Sequence, residues 1–219
     1  MNGSTPGRGA CNDVLRAIGP HMCHVTARSN LDGIVEHGLC SAADLARRCG
    51  RAPKDMALRR DRKVLTLPGG ATARLNHQLP ILHGRRAADT IVDGFDARGW
   101  ACQLDERIFL WPARRGEAFG RSIAKDADSV TLWFDTARLL GRMADHLWLA
   151  PFNTGNFRQG GARAQRGSWI YRPVTDGLAD FRSNRQRRGL VKRPDRIVEI
   201  SLTAPLPPDM VADLLLATA

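Results

Sequence analysis

The sequence predicts an α+β fold in a single domain over residues 1–219, and three observations carry that prediction. Short strand-like runs recur along the chain, short capped helical segments lie between them, and the two do not alternate regularly as a doubly wound sheet requires. A hydrophobic content of 43% in 219 residues is enough to bury one sizeable core. No internal repeat competes with this arrangement.

The elements follow in chain order. Residues 1–10 are polar and Gly-rich and are expected to be flexible. Asn12 caps a short helix that ends before Pro20. A strand around His24 comes next, with His24 and Thr26 on one face and Cys23 and Val25 on the other. Ser29 or Asn30 then caps a helix whose apolar face is Leu31, Ile34 and Val35, and Gly38 stops it. Ser41 with Asp44 forms a capping box for a helix ending near Gly50. Alternation over 63–67 and 72–75, around Pro68-Gly69-Gly70, predicts a hairpin, and 84–92 reads as a helix. Residues 107–111 are apolar on both faces, which predicts a central strand ended by Pro112. A helix over 117–125, a strand over 129–134, a helix over 136–141 and a strand over 146–150 follow. Residues 152–167 turn to Gly, Asn, Gln and Arg, which argues a long functional loop. A strand over 170–174, a polar helical segment over 177–188, a strand over 196–203 and a helix from Asp209 complete the chain.

The formal net charge of +11 is unevenly distributed. Between residues 158 and 196, ten Arg and Lys192 face Asp176, Asp180 and Asp195, a local charge of +8. Between 47 and 63, six Arg and two Lys face Asp55 and Asp61, a local charge of +6. Two basic segments on an otherwise slightly acidic body suit a polyanion, because neutralised phosphates release condensed counterions. Nucleic acid is therefore the expected partner, contacted by Arg158, Arg163, Arg166, Arg185, Arg187 and Arg188, although solubility alone also accounts for such charge. No apolar run approaches the roughly 20 residues of a membrane span and the N-terminus has no apolar signal core, so a cytoplasmic protein with no membrane partner is expected. Five cysteines without Cys-x-x-Cys spacing predict reduced thiols, and the His21-Met22-Cys23-His24 cluster has no second ligand pair, so no metal is expected.

Glu199 is the principal candidate for chemistry. It lies in Ile197-Val198-Glu199-Ile200-Ser201-Leu202, where Val198, Ile200 and Leu202 face one side and Glu199 and Ser201 the other. A carboxylate amid an apolar strand is costly unless it is paired or opens onto a cleft, so both a site and an ion pair with one of the many Arg residues remain open. His24 reads either as a core histidine or as a ligand contact, and Phe109 and Trp111 as core or as a stacking surface.

The stretch from His24 through Thr26, Asn30, Leu31, Ile34, Gly38 and Leu39 resembles the opening motif of the DarT-like ADP-ribosyltransferases, a His-x-Thr strand followed by an Asn-Leu-x-x-Ile-x-x-x-Gly-Leu helix. The Glu199 strand with Pro205 to Pro208 beyond it resembles that family's catalytic Glu strand, and Leu75 to Pro80 a Leu-x-x-x-x-Pro segment that follows a family Arg. The resemblance covers about a third of the chain. It implies a split, mixed or antiparallel sheet flanked by short helices, with NAD as co-substrate and no metal. It also implies an NAD pocket built from His24, Thr26 and Asn30, with Phe109 or Trp111 against nicotinamide. Glu199 would be catalytic, and one of Arg59, Arg60 and Arg62 would serve the pyrophosphate, Arg60 being chosen here as the catalytic partner. The implied activity is mono-ADP-ribosyl transfer to nucleic acid, single-stranded DNA ahead of RNA, by a toxin or phage-defence effector with a cognate antitoxin or immunity protein. Two alternatives stand beside it. One is an inactive nucleic-acid-binding module that stacks bases on Trp148, Phe152, Phe157 or Trp169, and the other is an NAD glycohydrolase.

Overall fold

Alternation along β1 (His21–Ala27) and β5 (Ser129–Asp135) pairs the two strands antiparallel residue for residue, from His21 opposite Asp135 to Ala27 opposite Ser129. In the computed structural model this ladder anchors a seven-stranded sheet, completed by β4 (Ile108–Pro112), β6 (Leu147–Ala150), β7 (Arg172–Pro173), β8 (Glu199–Leu202) and β9 (Leu215–Thr218). The strand order is β7-β6-β8-β4-β1-β5-β9, and every ladder between these strands is antiparallel. β2 (Lys63–Thr66) and β3 (Thr72–Leu75) form a separate hairpin, whose turn takes Gly69 and Gly70 at φ of 91° and 96°. The structure describes residues 8–82, 90–113, 128–157 and 165–218. The helices expected over 84–92 and 117–125 fall largely or wholly outside these residues.

Helices cover both sheet faces. Ile108, Leu110, Leu132, Phe134, Leu147, Leu149, Ile200 and Leu202 point into the larger core. Against them pack α1 (Arg8–Ile18), α2 (Leu31–His37), and further along the chain the helices Thr136–Met143, Gly177–Arg187 and Pro208–Leu214. The opposite face carries a second core around Trp100, Ala101 and Leu104 of the helix Ala97–Asp105, with Ile170 and Tyr171. That helix was not foreseen in the sequence, although Trp100, Ala101, Leu104 and Asp105 share its buried side. The expected α+β class and single domain hold. The C-terminal edge strand β9 also lacked a sequence signal, because Leu215–Thr218 is mostly exposed and shows no alternation of buried and exposed residues; the helix expected from Asp209 ends at Leu214 instead of covering it.

One junction ties the end of α2 to a distant part of the chain. The segment Ala42–Arg48 is a helix capped as expected, with Ser41 Oγ accepting from Asp44 N at 3.1 Å. Between it and α2, Gly38 adopts φ 82°, and a Cβ there would lie 2.2 Å from the Leu206 carbonyl. Leu39 and Leu206 exchange both backbone hydrogen bonds at 2.9 Å, which ties the end of α2 to the chain just beyond β8.

Candidate functional site

The sheet opens between its central strands. β1 pairs with β4 only at Met22–Pro112 and Cys23–Trp111, and from there β4 continues against β8 while β1 stays with β5. The His24 ring spans the opening, with Nδ1 2.8 Å from the Phe109 carbonyl. A carbonyl can only accept, so Nδ1 carries the proton and Nε2 is left as an acceptor. Burial holds the His24 pKa below its ordinary value, with the Phe109 bond opposing it, so the ring is neutral near pH 7.

A cavity of about 590 Å³ fills this opening, within the range of small-molecule and cofactor sites. His24, Thr26, Asn30, Arg59, Phe109, Trp111 and Glu199 all line it. Strand alternation alone would separate them. The registers place Cys23, Trp111, Phe109, Ser201 and Glu199 on one face, and His24 and Thr26 on the other. Residues of both faces reach one cavity because the sheet is split there.

Of the two caps expected for α2, Ser29 and Asn30, Asn30 stands at the N-cap position. Its side chain makes no cap; Nδ2 donates to Thr26 Oγ1 at 2.9 Å and to the Arg74 carbonyl at 3.0 Å, and Oδ1 accepts from Arg74 N at 2.6 Å. One amide thus ties β1 to β3 and fixes Thr26 in the cavity wall.

Glu199 is 2% exposed at the start of β8, opposite Ala150. Thr154 Oγ1 donates to its Oε1 at 2.5 Å, and Thr154 N donates at 3.3 Å. Behind it Tyr171 OH donates to Thr154 Oγ1 at 3.1 Å, and the Trp100 indole donates to the Thr154 carbonyl at 3.3 Å. Burial pushes the Glu199 pKa up to about 7, against the Thr154 bonds and the charges of Arg107 and Arg166. The carboxyl is thereby poised to exchange its proton near neutral pH. Burial also raises the Tyr171 pKa, with the Glu199 charge adding to it, so the phenol stays a donor.

The arginines sort by geometry. Arg59 is buried in the wall, donating to both oxygens of Asp105 at 2.6 and 2.9 Å, to the Met56 carbonyl at 2.8 Å and to the Asn76 carbonyl at 2.9 Å. Gln78 Nε2 donates to Asp105 Oδ1 at 3.0 Å, and its Oε1 accepts from Leu58 N at 2.6 Å. Burial raises the Asp105 pKa, with the Arg59 bonds and charge opposing it. The cluster clamps Leu58, whose φ of 60° is strained for a residue with a Cβ. Arg60 is exposed, and neither Arg60 nor Arg62 lines the cavity, so the structure does not bring the chosen Arg60 to the Glu199 site.

The expected nucleic-acid contacts also need correction. Arg166 has no exposed surface and Arg185 only 5%, so neither reaches a phosphate backbone. Arg166 packs over Phe157 and Phe152 at 4.3 and 5.1 Å and donates to the Asn156 carbonyl, while Arg185 donates to the Pro151, Lys192 and Arg196 carbonyls. Burial lowers the Arg166 pKa to about 10, with the Glu199 charge raising it. Arg187 and Arg188 are exposed, Arg188 with its guanidinium 4.8 Å from the Trp169 ring centre, and Arg158 and Arg163 lie outside the described residues. Phe157 is buried, and Phe152 and Trp169 pack edge to face at 6.0 Å, so these rings serve the loop's own packing.

The sequence had not singled out Asp105, Arg107, Asn153, Thr154, Asn156 or Tyr171. Arg107 directly precedes β4, and Tyr171 is the chain's one tyrosine, both recognisable signals; Asn153 to Asn156 sit in a polar loop that carries none. No group of three or more His, Cys, Asp or Glu side chains is placed to hold a metal among the described residues. Nor is any helix there long and apolar enough to cross a membrane.

Fold and site together define an α+β domain with a buried carboxyl at the mouth of a split antiparallel sheet. The chain belongs to the family of unknown function DUF7002, whose profile matches residues 20–213. That span includes both β1 and the Glu199 strand. No curated protein matches the chain.

Proposed function

We propose that this protein is an NAD-dependent mono-ADP-ribosyltransferase acting on nucleic acid, with single-stranded DNA the first acceptor to consider. The observation that carries the reading is Glu199, a buried carboxyl with a pKa near 7 in a cavity it shares with His24, Thr26, Phe109 and Trp111. Cleavage of the nicotinamide–ribose bond develops positive charge on the ribose, and a fixed carboxylate stabilises that oxocarbenium-like state. The C1′–N bond breaks, nicotinamide leaves with the bonding pair, and the acceptor nucleophile forms the new bond while its proton passes to Glu199. His24 Nε2 and the Thr26 face supply polar contacts to the bound ligand, and Phe109 or Trp111 offers an aromatic face for nicotinamide. The sequence resemblance to DarT-like enzymes supports the same assignment and, by likeness alone, a toxin or defence role in the cytoplasm with an antitoxin or immunity partner. Exposed Arg187, Arg188, Lys192, Arg193 and Arg196 support a phosphate-binding surface.

Glu199→Gln keeps the shape and the Thr154 contacts. It is expected to leave NAD affinity within a few-fold while slowing nicotinamide release by at least about 100-fold, the scale of losing one transition-state charge contact. Turnover equal to that of the wild type would remove Glu199 from catalysis.

A further inference from the structure

We propose that Arg107 is the anion receptor of the cavity and takes the phosphate or pyrophosphate group of a nucleotide-type ligand. The inference rests on the transferase reading for the identity of that ligand, and on the cavity alone for the receptor.

Three cationic side chains belong to residues lining the cavity: Arg59, Arg74 and Arg107. Arg74 engages Asn30 through its backbone alone, and no side-chain hydrogen bond, ion pair or ring contact among the described residues holds its guanidinium in place. Arg59 is already neutralised by both oxygens of Asp105 and gives two further donors to carbonyls, so four of its five N–H groups are taken and it has no fork to offer. Arg107 is different. Its one hydrogen bond among the described residues goes from Nη1 to the neutral hydroxyl of Ser201 at 3.0 Å, and no carboxylate there lies within 4 Å of it. The guanidinium lies over the Tyr171 ring, 3.7 Å from its centre, with Trp148 at 5.4 Å. Stacking fixes the plane of the group and leaves donors along its edge, the arrangement that suits bidentate recognition of phosphate.

The surroundings penalise this cation on its own. Burial lowers the Arg107 pKa, opposed by Tyr171 and then by Glu199, and Glu199 is itself only partly ionised near pH 7. An anionic group supplies the missing charge partner without competing with an existing ion pair. Arg107 also directly precedes β4, which carries Phe109 and Trp111, so one segment presents both the cation and the aromatic rings to the ligand.

The test is calorimetric titration of the full chain with ADP and with adenosine, which share the base and ribose and differ in the pyrophosphate, alongside inorganic pyrophosphate. Wild type is expected to bind ADP tighter than adenosine. Arg107→Gln should weaken ADP by about 10- to 100-fold, the range for charged hydrogen bonds, while adenosine changes little. Arg107→Lys keeps the charge without the fork and should fall between the two. Because Arg107→Gln also loses its stacking, Ser201→Ala serves as a second variant; it loosens Nη1 and should weaken ADP several-fold with the cation retained. Equal affinity of wild type for ADP and adenosine, or loss of ADP binding in Arg60→Gln with Arg107→Gln unaffected, overturns the receptor. Pyrophosphate alone binding in an Arg107-dependent way supports a free-anion site as well as a nucleotide one. Arg107-dependent ADP binding without NAD consumption leaves the receptor standing and sinks the transferase reading; NAD consumption indifferent to Arg107→Gln does the reverse.

Discussion

At the residue scale the account turns on Glu199 and the hydroxyl that faces it. The folded pKa near 7 lies above the ordinary value of 4.5, so between those limits the folded state keeps a proton that the unfolded chain has released. The associated stability is fully present below about pH 4.5 and lost as pH rises through 7. Glu199→Gln has no such dependence, and denaturation at pH 4.5 and pH 8 should show the variant gaining about 3 kcal/mol relative to wild type over that interval. A pH-independent difference would contradict the buried neutral carboxyl. Thr154→Val removes the 2.5 Å bond that favours the charged form, so the acid limb of the NAD turnover profile should move alkaline by about one pH unit, and Thr154→Ser should restore it. An unmoved profile would reduce Thr154 to packing.

At the scale of elements, two joints can each be tested by a single substitution. Asp105 of the helix Ala97–Asp105 holds Arg59 and the strained Leu58, and Asp105→Ala leaves a buried guanidinium without its partner. A loss of about 3–5 kcal/mol in chemical denaturation is expected, and a loss under about 1 kcal/mol would show that the cluster is not a clamp. Gly38→Ala drives a Cβ into the Leu206 carbonyl at a positive φ, and a drop of at least about 2 kcal/mol should separate α2 from the segment after β8. The reasons some of this was legible in the sequence are local. The Ser41–Asp44 box, the turn at Gly69-Gly70, the stop at Gly38 and the apolar run of β4 each declare themselves within a few residues. The Ala97–Asp105 helix was missed because Arg98, Gly99 and Gln103 interrupt an apolar pattern that only its buried side shows. The expectation of a side-chain cap from Ser29 or Asn30 missed the partners of Asn30 because the Arg74 backbone it binds lies on β3, 44 residues away.

At the scale of the molecule, the split between β1 and β4 converts a sheet into a site. His24, Thr26 and Glu199 could be named from sequence because each is a polar residue where a strand is otherwise apolar. Their meeting could not, because alternation puts them on opposite faces and only the departure of β1 from β4 after Cys23 joins the faces. Charge had the same limit: a count over residues 158–196 cannot distinguish exposed Arg187 and Arg188 from buried Arg166 and Arg185. The measurement that bears most directly on the whole account gives wild type and Glu199→Gln labelled NAD with single-stranded DNA, duplex DNA, RNA or protein extract, and follows nicotinamide release and label on the acceptor together. The account predicts Glu199-dependent label on nucleic acid, strongest on single-stranded DNA. No NAD consumption with any acceptor, or free ADP-ribose with no labelled polymer, would contradict it.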